Sequence, residues 1–332
     1  MPRAQQRMDF FTRVQFLTEA WLTRRNRIKR IRKEKLSSKH PVFDWIDAFL
    51  WAVGMVLLIN QYLFQAYQIP SGSMIDTLLI KDHVIVNKLI YGPELLPGFG
   101  KIPGLVTPQR NDIVIFENPS YISRGLAFDI AQRILYMLTF TLIDIDRDES
   151  GNPRAHFLIK RAVGMPGDRI QAEDGELKIR FAGEDRWVSE REYAASKNWK
   201  HNISRLMDSS LYPALRAAGA EAAWNDLGLP APERFHTATS GLGNARHFDF
   251  AAFEKARLET LRRALPHDNR YRMLLARQHS LGRYISEGRI LPLGDNRDNS
   301  RDGREFGPVR ISKVLGKGSF IYLPLRRMGP IR

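Results

Sequence analysis

The stretch Phe157-Leu158-Ile159-Lys160-Arg161-Ala162-Val163 (157–163) places two adjacent cations in a run of apolar, largely β-forming side chains. Successive residues of a strand point to opposite faces, so Lys160 and Arg161 must diverge. The pattern predicts that Lys160, at the end of the apolar run, is buried and Arg161 exposed. Desolvation disfavours an ammonium and can lower a lysine pKa from about 10.4 by several units, far enough for it to act as a base near neutrality. A surface Lys-Arg pair at a strand end is the alternative reading. The same β-type texture recurs at Val84-Ile85-Val86, Asp112–Phe116 and Gly318–Tyr322, bounded by Gly, Pro and Asp. A mainly β core built from 67–116, 155–188 and 286–325 is therefore expected.

Two stretches break this texture. Residues 189–285 read as helices over Tyr193–Met207, Tyr212–Leu227, Phe248–Leu265 and Asn269–His279, with the turn-rich TATSGLGN between them. They predict a helical insertion whose sequence declares no task. Residues 126–143, within a second insertion at 117–154, are apolar at helical spacing but carry Asp129 and Arg133. Both charges are costly at a bilayer centre, so an interfacial or core helix is expected instead of a membrane span.

The one long uncharged apolar run is AFLWAVGMVLLINQYLFQA (48–66), and about 20 such residues cross a bilayer core as a helix. Asn60 and Gln61 interrupt it, which leaves a buried core helix as the alternative. The basic block RRNRIKRIRKEK just upstream decides for a transmembrane anchor at 44–66 with residues 1–43 on the cytoplasmic side. No small-x-small cleavage site follows the run, so the anchor is expected to stay attached. Of the net charge of +15, nine units fall in residues 1–40, so basicity is a property of the tail first. Residues 10–22 look amphipathic and suit either the cytoplasmic membrane surface or a solvated tail.

The chain has no cysteine, which excludes disulfides and a cysteine nucleophile, and its eight histidines show no HExxH pair. No GxSxG elbow and no SxxK occurs. Ile69-Pro70-Ser71-Gly72-Ser73-Met74 follows the anchor at once, and seven residues keep Ser73 within roughly 25 Å of the membrane surface. A Pro-Ser-Gly-Ser turn can aim backbone N–H groups and a second hydroxyl at one spot, as an oxyanion hole requires, although such triplets are commonly plain loops. The segment Gly294-Asp295-Asn296-Arg297-Asp298-Asn299-Ser300-Arg301-Asp302-Gly303-Arg304 is dense enough in acids and arginines to build a rigid hydrogen-bonded loop. It partly fits an EF-hand calcium loop, but the twelfth position is Val309 instead of a bidentate Glu.

Taken together, QIPSGSM (68–74), RNDIVIFENP (110–119), IKRAVGMPGD (159–168), GDNRDNSRDGREFGPV (294–309) and GKGSFIYLP (316–324) resemble the bacterial type I signal peptidases, also called leader peptidases. The resemblance implies an antiparallel β catalytic domain over 67–332 on the outer side of the bacterial inner membrane. Preproteins and membrane lipids would be its partners, with no nucleic acid and no cofactor. By position, Ser73 matches the family nucleophile and Lys160 its general base, while Ser71 joins the Ser73 N–H in the oxyanion hole. Ser300 matches the serine that orients the lysine, and Asp302 the acid beside it. Arg161 and Asp295 match a structural ion pair, with Arg304 as a further partner. Tyr67, Ile69, Met74, Leu78, Val84, Leu158 and Ile159 match the lining of shallow pockets that select small-x-small sites. Asp76 stands where the family usually has proline, and Gly303 where it often has a second serine.

Two other readings fit parts of the chain. Self-cleaving SOS-type repressors share the Ser/Lys logic but would carry a DNA-binding domain in place of an anchor. A membrane-tethered basic adaptor binding nucleic acid or anionic lipid would explain the charge but leaves the three polar motifs without a purpose. One internal check follows from topology: Ser73 and Lys160 must share a side of the membrane, so 126–143 cannot cross alone.

Overall fold

A computed structural model describes residues 10–37, 41–96, 99–139, 143–147, 151, 154, 156–173, 176–200, 202–243 and 248–331. The chain divides into two compact units, Met1–Val56 and Leu57–Arg332. Helix α1 runs over Phe10–Ser37, so the amphipathic stretch and the basic block form one helix. Nothing in this span, which lacks Gly and Pro, interrupts it. Helix α2, Pro41–Tyr62, opens with proline in its first turn, where the missing N–H costs nothing. Among the described helices it alone is long and apolar enough to cross a membrane, and Trp45, Phe49 and Trp51 on it are among the most exposed large side chains.

The helix stops short of residue 66. Phe64–Ala66 belong instead to strand β1 (Phe64–Gln68), where they pair with Asn87, Val86 and Ile85 of strand β2 (His83–Asn87). Sheet pairing satisfies their backbone groups outside the helix. Asn60 and Gln61, which interrupt the apolar run, stand at this helix end. The Gln61 side chain donates to the Glu94 carbonyl at 3.0 Å, and the Tyr62 hydroxyl to that of Leu95 at 2.8 Å.

After β2 come a short hairpin, β3 (Glu94–Leu96) and β4 (Phe99–Lys101), strand β5 (Ile113–Glu117) and helix α3 (Leu126–Leu138). At 13 residues α3 is about 20 Å long, well under the bilayer core. Its charges are paired within the protein: Asp129 accepts from Ser123 at 2.5 Å and Arg133 meets Glu94 at 3.3 Å. Strands β6 (Phe157–Gly164), β7 (Arg169–Glu173), β8 (Glu176–Arg180) and β9 (Val188–Ser189) lead into the insertion.

The insertion is helical, with different bounds from those expected. Helix α4 covers only Glu190–Ser196, followed by α5 (Tyr212–Asp226), α6 (Glu233–Thr239), α7 (Phe250–Ala264) and α8 (Asn269–Leu275). The helix anticipated over Tyr193–Met207 is thus mostly absent. Asn198 takes a left-handed conformation (φ 55°), and Ser204 is drawn into a parallel bridge with Asn296 that consumes its backbone groups. Helix α6, ending inside the turn-rich stretch, was not legible in the sequence.

The chain closes with β10 (Arg283–Tyr284), β11 (Arg289–Leu293), a one-turn helix α9 (Gly303–Phe306), β12 (Val309–Arg310), β13 (Val314–Leu323) and β14 (Gly329–Pro330). One antiparallel sheet has the order β1-β2-β13-β5-β6-β11-β12, with β14 on β13, and a second has the order β10-β7-β8-β9. The fold is mainly β, as expected. Its register positions the site: Val114 of β5 faces Lys160, and Leu293, the last residue of β11, faces Arg161. The polar loop 294–304 therefore leaves the sheet directly beside the two cations of β6.

Candidate active site

Ser73 lies in the connection between β1 and β2, inside a 3-10 turn formed by Gly72–Met74 that follows Ser71. The connection is clamped at its base by the Ile69 and Lys81 amides, which donate to the carbonyls of Asp82 and Ile69 at 2.9 Å each. Amides in the first turn of such a helix have no partner within it, so the Ser73 N–H makes no bond inside the turn. Ser71 is exposed and its hydroxyl caps no amide.

Lys160 reaches this turn from β6. Its Nζ lies 2.5 Å from Ser73 Oγ, with Lys160 3% and Ser73 8% exposed. Burial pulls the lysine down to about 8, against the opposing pull of Asp302 and Asp295. Among the described residues no carboxylate is within ion-pair distance of Lys160. A dry, unpaired amine is disfavoured as ammonium, which is the state a base must avoid.

Arg161 is not the exposed member of the pair: only 5% of it is accessible. Lys160 meets Ser73, while Arg161 meets Asp295 through two bonds, Nε to Oδ1 at 2.8 Å and Nη2 to Oδ2 at 2.7 Å. Alternation separates the two side chains correctly, but both faces of the sheet are covered here. Asn111 and Thr77 complete the shell of Arg161 at 2.8 and 3.1 Å, and Thr77 also bonds Asp295.

The loop 294–304 is sewn to the serine turn. The Asn296 amide donates to the Ser73 carbonyl and its side chain to the Gly72 carbonyl, each at 3.0 Å. Asp302 accepts from the Gly294 amide at 3.0 Å and pairs with Arg304 at 3.0 Å. Burial pushes the Asp302 carboxyl up, but Arg304 and the Gly294 amide hold it below its usual range. Arg304 thus serves Asp302 and approaches Asp249 of the insertion at 3.8 Å; it does not join the Arg161–Asp295 pair as expected. Ser300 stands beside Gly294 and the Ser73 carbonyl, yet its buried hydroxyl makes no hydrogen bond to Lys160. Asp298 is occupied by Arg205 at 3.0 Å and by the amides of Leu206 and Met207 at 2.7 and 2.9 Å. Two acids of the calcium-like pattern, Asp298 and Asp302, are therefore already satisfied by cations and amides.

Tyr67, Ile69, Met74, Leu78 and Val84 form one tightly buried apolar cluster under the serine turn, and Ile159 packs against it. Leu158 belongs elsewhere: it packs on a second cluster that includes Phe116, Ala162 and Val314. Adjacent strand residues cannot line one patch when the sheet is covered on both faces. Four neighbours of the site were not singled out from the sequence, namely Thr77, Asn296, Arg297, whose Nε donates to the Gly294 carbonyl at 2.8 Å, and Asp249. The first three sit within or between the recognised motifs, whereas Asp249 comes from the insertion and carried no signal.

A family model described as signal peptidase, peptidase S26, matches residues 42–323. The chain belongs to that family. Signal peptidase I of Haemophilus influenzae is 25% identical over 301 residues, covering 89% of this chain and 73% of the relative. That of Pseudomonas aeruginosa is 26% identical over 282 residues, covering 85% and 69%. A crystal structure of a signal peptidase I from Enterococcus faecalis V583 aligns over 64% of this chain and 98% of its own at 18% identity, with a TM-score of 0.25, too low to bear on the fold. This S26 peptidase is a serine peptidase of the signal peptidase class.

Both glycines of the polar loop, Gly294 and Gly303, have no room for a side chain. A Cβ on Gly294 would strike the Ser300 hydroxyl and come within 2.6 Å of the Ser73 carbonyl. Gly294→Ala is expected to push the loop off the serine turn and lower peptide cleavage by about a hundredfold, the scale of a roughly 1 Å misplacement in a catalytic constellation. Cleavage assays on the purified variant check this, with a melting curve to separate misplacement from unfolding. Gly303 packs on β11, where a Cβ would come within 2.8 Å of the Pro292 carbonyl oxygen and of the Leu291 side chain. The serine common at this position in the family would not fit here without movement.

Proposed function

We propose that this peptidase removes presequences from exported preproteins by a Ser73/Lys160 dyad and is held to the inner membrane by α2. The single observation that carries the reading is the contact of 2.5 Å between Lys160 Nζ and Ser73 Oγ, with no counter-ion for the lysine among the described residues. The neutral amine takes the Ser73 proton as Oγ attacks the scissile carbonyl, and the resulting oxyanion is met by the Ser73 N–H and the Ser71 hydroxyl. The Lys160 ammonium returns the proton to the leaving amine, giving an acyl-enzyme. A water then repeats the sequence on the ester and frees Ser73. No step calls for a cofactor. Asp302 acts on the lysine from the polar loop by charge alone, Ser300 makes no bond to it, and the Arg161–Asp295 pair ties β6 to that loop.

The buried cluster of Tyr67, Ile69, Met74, Leu78 and Val84, with Ile159 beside it, supports shallow subsites that accept small side chains. The basic α1 suits the cytoplasmic side and the peptidase domain the opposite one, with α2 bringing site and presequence to one bilayer. The test is to incubate the detergent-solubilised full chain with a preprotein whose presequence ends in Ala-x-Ala and to sequence the new N-terminus. Cleavage is expected after the second Ala, and replacing that Ala by Leu should slow it by at least about a hundredfold, since overpacking a closed pocket costs roughly 1–3 kcal/mol and displaces the scissile bond besides. Equal rates for the two substrates would contradict the small-residue specificity.

A further inference from the structure

A cavity of about 260 Å³ lies where α7 and α8 of the insertion face β7, β11 and the end of the polar loop. Phe250, Leu258, Leu274 and Leu291 give it an apolar wall. Its polar lining has unused capacity. Ser300 Oγ, Arg304 Nη1 and both ring nitrogens of His279 are buried without a hydrogen-bond partner. The Arg304 side chain is only 9% exposed, and the nearest acid to its Nη1 is Asp249 at 3.8 Å.

One cation of the cavity, Arg283, is left for an anion. Its three carboxylates each already face a cation: Asp302 meets Arg304 at 3.0 Å, Glu254 meets Arg257 at 2.9 Å, a guanidinium shared with Asp226, and Glu305 meets Arg301 at 2.7 Å. Arg283 also lines the cavity, and its one hydrogen bond to protein runs to the Gly303 carbonyl. It stands in no ion pair among the described residues, and burial lowers its pKa, with Asp302 the one acid opposing that shift. His279 is pulled down to about 4, first by burial and then by Lys255 and Arg283, so it is neutral and offers one donor and one acceptor. An uncompensated guanidinium beside unused donors is a site for a carboxylate. As for size, a cavity of about 150 Å³ accommodates benzene, so this one suits roughly ten non-hydrogen atoms.

We infer that this cavity binds a small amphipathic carboxylate, its head on Arg283 and Arg304 and its apolar body on Phe250, Leu258 and Leu291. The cavity shares Ser300, Asp302 and Arg304 with the loop beside the Ser73/Lys160 dyad, and its occupancy is read by binding alone, without reference to peptidase activity. Octanoate has the right size and serves as the probe, with octylammonium as the comparator of opposite charge. Equilibrium dialysis of labelled octanoate against the full chain in nanodiscs, with empty nanodiscs subtracted, is expected to show one saturable site per chain. Arg283→Gln should weaken binding at least tenfold, Ala251→Phe should abolish it by filling the cavity, and octylammonium should show no saturable binding. Circular dichroism confirms that each variant is folded, and the second variant stands if the first is not. Absence of saturable octanoate binding, equal binding of octylammonium, or binding unchanged by the substitutions would each overturn the inference.

Discussion

Lys160→Ala is expected to leave the protein folded and its cleavage of a preprotein at least about a thousandfold slower than the parent, and Ser73→Ala to be no faster. The two losses should not add in the double variant, because nucleophile and base act in one step. Lys160→Ala removes a buried amine and leaves Ser73 Oγ without its partner at 2.5 Å. The serine hydroxyl then faces an apolar gap with nothing to accept its proton. Lys160→Arg should be equally inactive, since a guanidinium stays protonated at any working pH. Steady-state cleavage rates at saturating preprotein check these outcomes. A Lys160→Ala variant within tenfold of the parent would show that another base serves Ser73.

Asp295→Ala is expected to be the most damaging substitution for stability. It deletes both carboxylate oxygens that Arg161 donates to, and leaves a guanidinium with a side chain only 6% exposed buried without a counter-ion, held by Asn111 and Thr77 alone. Removing one member of such a pair costs about 3–5 kcal/mol, because the remaining charge keeps its desolvation penalty and loses its compensation. Thr77 loses a partner as well, whereas the bond from the Ser204 amide to the Asp295 backbone carbonyl is kept. In a unit of this size the loss corresponds to a fall in melting temperature of about 10 °C. Thermal unfolding of Asp295→Ala, Arg161→Met and the double variant measures the coupling. The double variant should recover much of the stability, as replacing a buried pair by apolar groups is far cheaper than breaking it. It should not recover activity to the same degree, since the polar loop would no longer be registered against β6.

The β core was legible because its strands alternate and end in turn residues, and the two members of the proposed dyad were singled out because Lys160 ends an apolar run and Ser73 lies in a Ser-Gly-Ser turn. What failed to show has physical causes. Exposure of Arg161 was expected from strand alternation alone, which assigns faces but cannot say that both faces are covered; Asp295, 134 positions away, covers the second one. The end of α2 was placed late because Phe64-Gln65-Ala66 is as apolar as the helix before it, and only the pairing with β2 ends the helix. The short α4 and the extended Ser204 segment result from tertiary competition: backbone groups around Ser204 bond to the polar loop in preference to a helix. Asp249, at the N-cap of α7, reads as a helix start, and nothing local reveals that it faces Arg304 and accepts from Tyr212 at 2.9 Å. The role of Arg304 followed from the same long-range contact and was equally hidden.

The dyad is tested most directly by the pH dependence of kcat/KM, which reports the ionisation of the base in the free enzyme. With Lys160 pulled down to about 8 from a lysine's ordinary 10.5, the neutral and competent amine predominates above pH 8. Below it, each unit of acidification should protonate the amine a further tenfold and slow cleavage in proportion. The rate should therefore rise along a slope of one from mildly acidic pH and level off just above 8. A profile flat from pH 6 to 9, or one still climbing toward pH 10 as an ordinary exposed lysine would, contradicts a buried lysine base acting on Ser73.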